Sequence, residues 1–197
     1  MLSSRINRFS LSVAAILLGA VVVFADEPAA TGLQLLDLDG RQIEPLRAKD
    51  AKAIVLIFIR TDCPISNRYA PELRRLHEKF AKSGVRFWLV YPDPGETSVI
   101  IRNHMKEYEY RLSALRDPEH KLVKMTGAQV TPEAAVFAPG GRMVYRGRID
   151  DRYVAFGKAR PAPTTRDLEQ VLEAMLKGKQ ITNKTTDAIG CFIPDLR

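Results

Sequence analysis

The sequence predicts an α/β domain built on a central mixed β-sheet flanked by helices. Three observations carry this. Two apolar runs, 53–59 without a break and 85–91 interrupted only by Arg86, are rich in β-branched and aromatic residues, as strands covered on both faces are. A stretch with helical apolar spacing separates them, which is the arrangement of parallel strands joined by a crossover helix. Later in the chain, Pro139-Gly140-Gly141 lies between two short apolar segments, as in an antiparallel hairpin.

The elements follow in order. Residues 1–25 read as an export signal. Arg5 and Arg8 precede an uncharged apolar run from Leu11 to Phe24, Val23-Phe24-Ala25 offers a cleavage position, and Asp26-Glu27-Pro28 opens a polar segment. An uncleaved signal would instead leave the chain anchored to a membrane, and either outcome puts the remainder outside the cytosol. Leu33, Leu35 and Leu38, with the turn at Asp37-Leu38-Asp39-Gly40, predict a short strand and hairpin.

After the strand 53–59 comes Arg60-Thr61-Asp62-Cys63-Pro64. Pro64 suits the first turn of a helix, where its missing N–H costs nothing. Ile65, Tyr69, Leu73, Leu76 and Phe80 continue at helical spacing, Pro71 should kink that helix, and Ser83-Gly84 should end it. A helix is expected from about Glu96 to Tyr108, with Val99, Ile100, Met105 and Tyr108 on one side. A short element near 112–115 and a short helix over 119–126 follow. Strands are expected over 134–138 and 143–147, then a polar loop over 150–163. A closing helix is expected over 165–177, with Leu168, Val171, Leu172, Met175 and Leu176 inward. Residues 26–180 therefore form one domain. Residues 181–197 make a tail without clear periodicity.

Charge and composition narrow the function classes. Hydrophobic residues make up 46 % and charged residues 27 % of the chain, so disorder throughout is not expected. The net charge of +7 falls to +5 once the two arginines of 1–25 are removed, and the remaining charges alternate in sign. No basic tract with interleaved aromatics is present, so nucleic-acid binding is not expected. His77, His104 and His120 lie far apart on charged helical stretches. They read as surface residues, and no metal-ligand spacing or cofactor motif is seen.

Only two cysteines occur, Cys63 and Cys191. In an oxidising compartment an even count permits one disulfide without showing that it forms. Cys63 falls where unpaired helix N–H groups and the helix dipole favour a thiolate; Arg60 and Arg68 would add to this and Asp62 would oppose it. The plainer alternative is a buried, inert thiol. Cys191 lies 128 residues further on, in the tail. It could resolve an oxidised Cys63 or pin the tail as a permanent staple. A loop that long is worth about 4–5 kcal/mol in the chain-entropy model.

These residues resemble a known family. The strand ending in Thr61-Asp62-Cys63-Pro64 resembles the nucleophile turn of thioredoxin-like proteins, and Pro71 lies at the offset of their helix-kinking proline. Val130-Thr131-Pro132, ahead of a strand and a Pro-Gly-Gly hairpin, resembles their cis-proline loop. Val144-Tyr145-Arg146-Gly147-Arg148-Ile149-Asp150-Asp151 and Gly190-Cys191-Phe192-Ile193 are similar to a group of secreted AhpC/TSA-type redoxins. The resemblance implies a thioredoxin-like fold and a redox protein in which Cys63 is the nucleophile and Cys191 its resolving or disulfide partner. It implies a cis Pro132, Thr131 offering backbone groups to an extended partner chain, and Arg60 binding a peroxide oxygen or an acidic substrate. Arg148, Asp150 and Asp151 either reach the site or cap the sheet. The substrate would be a protein disulfide or a hydroperoxide, with a thiol as electron donor. Two departures stand out. Ser66 occupies the second position of the thioredoxin Cys-x-x-Cys. Arg60 and Leu56 stand where peroxiredoxins carry Thr or Ser and Pro. A non-catalytic binding module, with a static Cys63–Cys191 disulfide and a partner in the cis-proline groove, is the alternative.

Overall fold

The protein is described from a computed structural model that covers residues 32–48 and 50–194. The export signal expected at 1–25 lies outside the described residues. Strands β1 (Leu35–Asp37) and β2 (Gln42–Ile43) form the expected opening hairpin, with Gly40 at φ 78° in its turn. Strand β3 (Ala53–Phe58) is buried at every position. Its side chains alternate between two cores. Ala53, Val55 and Ile57 face one, which also holds Leu73, Ile101 and Leu172, whereas Ile54, Leu56 and Phe58 face the other, which holds Leu122 and Val123. Burial on both faces is why the run reads as continuously apolar.

Helix α1 (Pro64–Arg68) stops at Tyr69, and α2 (Ala70–Phe80) begins with Pro71 in its first turn. The expected kink is thus a break between two helices. Pro71 has no N–H to continue the ladder, so it is accommodated at a helix start. A 3-10 turn, Ala81–Ser83, ends on Gly84 at φ 88°, and β4 (Val85–Tyr91) runs parallel to β3.

Helix α3 (Ser98–Glu107) starts two residues later than expected, because the Thr97 side chain caps it by accepting from the Ile100 N–H at 3.3 Å. Its inward side also differs. Ile101 and His104 are buried, whereas Val99 and Ile100 are exposed. The later start leaves those two residues in the solvent-facing first turn. Strand β5 (Ser113–Arg116) and helix α4 (Lys121–Thr126) precede β6 (Val130–Thr131), the cis peptide Thr131–Pro132, and β7 (Glu133–Phe137). Strand β8 (Met143–Gly147) returns against β7. The stretch expected to be a polar loop contains a small hairpin, β9 (Tyr153–Ala155) with β10 (Lys158–Ala159). Tyr153 anchors it by packing on Tyr69, ring centroids 5.7 Å apart. Helix α5 (Asp167–Leu176) closes the domain.

The main sheet has the order β2-β1-β5-β4-β3-β7-β8. Strands β3, β4 and β5 are parallel; β7 runs antiparallel to β3, and β8 antiparallel to β7. This is the predicted mixed sheet of a thioredoxin-like α/β fold. The tail is not shapeless. Its Lys184–Thr186 segment bonds the edge of β8 at Arg146, and β11 (Cys191–Phe192) pairs antiparallel with β6. Ile193 is buried in the α4-side core. A segment that docks one residue at a time on existing strands needs no periodicity of its own. Among the described residues, no helix is long and apolar enough to cross a membrane.

Candidate active site

Cys63 caps α1 from an extended conformation, and its Sγ accepts from the Ser66 N–H at 3.5 Å. As a thiol it donates to the Thr131 carbonyl at 3.1 Å. The residue is only 1 % exposed. The strand β3, the proline that starts α1 and the cis-proline turn thus converge on one sulfur.

Strand β11 brings the distal cysteine to it. Cys191 pairs with Thr131 and Phe192 with Val130, and the Ile193 N–H donates to the Gln129 carbonyl at 3.0 Å. Gly190 allows this approach, since a Cβ there would meet the Thr131 carbonyl oxygen at 2.2 Å. The Thr131 hydroxyl donates to the Cys191 carbonyl at 3.4 Å. Cys191 thus lies opposite the residue whose carbonyl meets the Cys63 sulfur, and both cysteines are free thiols.

The pair is electrostatically asymmetric. Burial pushes the Cys63 thiol up. Hydrogen bonds from Cys191, from the Ser66 side chain and backbone, and from Thr131 outweigh that and hold Cys63 below its ordinary value. Cys191 is pushed up to about 12, first by burial and then by its bond to Cys63 and the charge there. Of the two thiols, Cys63 is therefore the readier to ionise. Ser66 is wholly buried and its hydroxyl has no fixed partner, which leaves it free to turn toward the Cys63 sulfur. Serine at this position thus supports a thiolate without being able to form a disulfide.

Arg60 is committed. Its Nη2 pairs with Asp62 at 2.8 Å and Asp93 at 3.0 Å, and its Nη1 donates to the Phe192 carbonyl at 3.3 Å. It clamps β11 in place. Arg68 is exposed at the surface of α1. Arg148 pairs with Asp167 at 2.8 Å, Asp150 accepts from the Tyr69 hydroxyl at 2.5 Å, and Asp151 accepts from the N–H groups of Thr164 and Thr165. All three tie the end of β8 to neighbouring elements.

The histidine reading needs correction. His104 and His120 are buried. The His104 ring bridges the Tyr91 hydroxyl at 2.9 Å and Asn67 at 2.8 Å, and Asn67 donates to the Thr61 carbonyl at 2.9 Å. His120 bonds the Pro92 carbonyl at 2.9 Å. Fixed partners offset the loss of water, so charged neighbours in sequence did not reveal the burial.

Sequence reasoning missed Asp93, Glu96, Asn67 and His104 as supports of the turn. Glu96 is buried, accepts the Thr61 N–H at 2.6 Å and leaves its second oxygen without a partner. Burial and Asp93 raise its pKa, against the Thr61 bond and Arg60. One signal was available. Asp93 and Glu96 lie in the loop at the carboxyl end of β4, beside the end of β3, where open α/β sheets gather site residues.

Comparisons with known proteins agree with this architecture. A hypothetical protein from Sinorhizobium meliloti 1021 superposes with a TM-score of 0.73 at 28 % identity, over 84 % of this chain and 91 % of its own. An uncharacterized conserved protein from Geobacillus kaustophilus gives 0.72 at 25 % identity, over 84 % and 90 %. A thiol-disulfide oxidoreductase, ResA of Bacillus thuringiensis subsp. konkukian, is 24 % identical over 115 residues. That match takes in 58 % of this chain and 65 % of ResA, just under two thirds of the relative's length. The AhpC/TSA family model matches residues 27–146, which include Cys63 and the cis-proline turn but not Cys191. This chain belongs to the AhpC/TSA family and has the thioredoxin-like fold of thiol-disulfide oxidoreductases.

Proposed function

We propose that the protein is an exported thiol-disulfide oxidoreductase in which Cys63 is the redox nucleophile and Cys191 its resolving partner. The observation that carries the reading is the pairing of β11 with β6, which sets Cys191 opposite Thr131, the residue whose carbonyl accepts from the Cys63 thiol. The likeness to ResA, named a thiol-disulfide oxidoreductase, supports the reaction class. The apolar run at 11–24 supports export.

In the reducing direction, the Cys63 thiolate attacks a substrate disulfide. One substrate sulfur bonds to Cys63 and the other leaves as a thiolate. Cys191 gives up its proton and attacks the Cys63 sulfur, forming the Cys63–Cys191 disulfide and releasing the second substrate thiolate. The substrate gains two electrons and the protein loses two. A thiol donor then restores the pair. Thr131 and the cis peptide hold the backbone beside the sulfur, and Arg60 keeps the tail strand aligned.

The test uses residues 26–197 with a small disulfide and, separately, a hydroperoxide as oxidant. The expected result is an intramolecular disulfide after one equivalent of disulfide oxidant. Cys63→Ser should abolish exchange, and Cys191→Ser should stall it at a mixed disulfide on Cys63. Faster oxidation by hydroperoxide than by disulfide would make the protein a peroxidase. The non-catalytic module has less support, because β11 already fills the edge of β6 that a partner would need. A Cys63–Cys191 bond that resists mild reductants would favour it.

A further inference from the structure

We propose that a basic groove at the end of the domain remote from Cys63 docks an extended, acidic segment of a partner protein. The site is separate from the redox turn and does not depend on the reading given above.

The groove is bounded by the β7–β8 hairpin, the end of α5 and the start of the tail, and its volume is about 520 Å³. That lies within the range of ligand-binding clefts. Lys52, Arg142, Lys179 and Lys184 line it, and no carboxylate does. All four cations are exposed. None has an ion-pair partner among the described residues, unlike Arg75, Lys79, Arg148 and Arg166 elsewhere on the surface. Even Lys177, two residues before Lys179, pairs with Glu173.

A solvated lysine is ordinary, and the negative end of the α5 dipole accounts for a cation at Lys179. It does not account for the other three, which arrive from the approach to β3, the hairpin and the tail. Their backbones are also fixed. The Lys52 N–H donates to the Gly84 carbonyl at 2.8 Å, and the Arg142 carbonyl accepts from the Ala138 N–H at 2.9 Å. The Lys179 N–H donates to the Ala174 carbonyl at 2.8 Å, and the Lys184 carbonyl accepts from the Arg146 N–H at 2.9 Å. Four separate segments thus hold like charges around one hollow, and an anion placed there relieves their repulsion.

Two further observations select a peptide. Between the cations the lining is apolar, with Met143, Met175 and Ile181, and Met143 is 40 % exposed. Methionine adapts to varied partners, so the lining suits apolar side chains set between carboxylates. In addition, β8 is the last strand of the main sheet, and the tail bridges to it at Arg146 through Thr185. Met143 and Val144 have no strand partner on that outer side among the described residues. An open strand edge accepts an extended chain. A bilayer surface, being flat, would meet the tips of the cations and leave the apolar lining uncovered.

Lys52 directly precedes β3, whereas Cys63 follows its other end. The six residues of β3 separate the two by roughly 20 Å at strand spacing. A docked segment therefore leaves the redox turn unobstructed.

The experiment titrates the chain 26–197 into fluorescein-labelled peptides and follows anisotropy at low and at physiological salt. A peptide of alternating glutamate and leucine should bind saturably and more weakly as salt rises. It should bind at least about tenfold tighter than glutamine–leucine or glutamate–serine peptides of the same length. Arg142→Glu combined with Lys184→Glu should weaken binding at least about tenfold. Lys106→Glu combined with Lys158→Glu alters the net charge equally at exposed positions outside the groove, and should change binding less than about twofold. Far-UV circular dichroism checks that both double variants fold; if the first does not, Lys184→Glu alone should still weaken binding. Absence of saturable binding, no preference over the glutamine–leucine peptide, or an equal loss in both double variants overturns the proposal. Binding to phosphatidylglycerol vesicles without binding to the peptide overturns it in favour of a lipid surface. Self-association of the chain alone that the groove variant abolishes overturns it in favour of a second copy. Each of these failures leaves the redox reading of Cys63 standing.

Discussion

At the scale of single residues, the active turn depends on side chains that hold the backbone around Cys63. His104 joins α3 to the turn through Asn67, and Asn67 reaches the Thr61 carbonyl. Burial lowers the His104 pKa to about 4. The unfolded chain titrates near 6.5, so below that pH the unfolded state binds a proton that the folded state refuses. Stability is therefore complete above about pH 6.5 and falls as pH drops toward 4, by about 3 kcal/mol in all. Between pH 6.5 and 4.5, the denaturation midpoint should drop in the parent chain and stay nearly level in His104→Gln. An equal slope in the two chains would mean that His104 is not the titrating group. Glu96, Asp117 and Asp150 have pKa values raised chiefly by burial, so they oppose this trend at the acid end.

At the scale of elements, ion pairs fasten α2 to α5 on the Cys63 side. Glu169 on α5 accepts from Arg75 at 2.5 Å and from Lys79 at 2.6 Å on α2. Those bonds, Arg75 first, hold the Glu169 carboxyl at about 2 against the burial that would raise it. A depressed carboxylate adds stability above its unfolded value near 4.3, which is lost as pH falls toward 2. The cations are partly exposed, so Glu169→Gln should cost about 1 kcal/mol at pH 7 after screening. The gap between variant and parent should close below pH 3 in urea titrations. The α1–α2 break belongs to this scale too. Cys63, Pro64 and Pro71 already indicated a helix start and a disturbance eight residues on. Whether the second proline bends one helix or starts another depends on the packing of Tyr69 between them, where Asp150 and Tyr153 hold it.

At the scale of the whole molecule, the tail closes the site. Residues 184–193 run from the edge of β8 to the cis-proline turn, with attachments at Arg146, Thr131 and Gln129. Gly190→Ala puts a Cβ 2.2 Å from the Thr131 carbonyl oxygen, so β11 must leave. Alkylation of Cys63 at fixed pH should then accelerate roughly tenfold for each ~1.4 kcal/mol of docking lost. The main sheet should keep its far-UV circular dichroism. No acceleration would mean that the tail does not limit access to Cys63.

The sequence by itself determined the α/β class, the two central strands, the thiol at a helix start and the hairpin after the cis-proline turn. Each of these is a local or periodic property, set by burial on one or two faces and by proline and glycine chemistry. Tertiary structure alone decided that His104 and His120 are interior, that Arg60 is a clamp, and that a tail without periodicity supplies an edge strand. The physical reason is one of range. Hydrophobic periodicity records what a segment does against a continuous core. A two-residue strand held by three backbone hydrogen-bonding neighbours, a glycine contact and one buried isoleucine leaves no period to read, and its partners lie about 60 residues away along the chain.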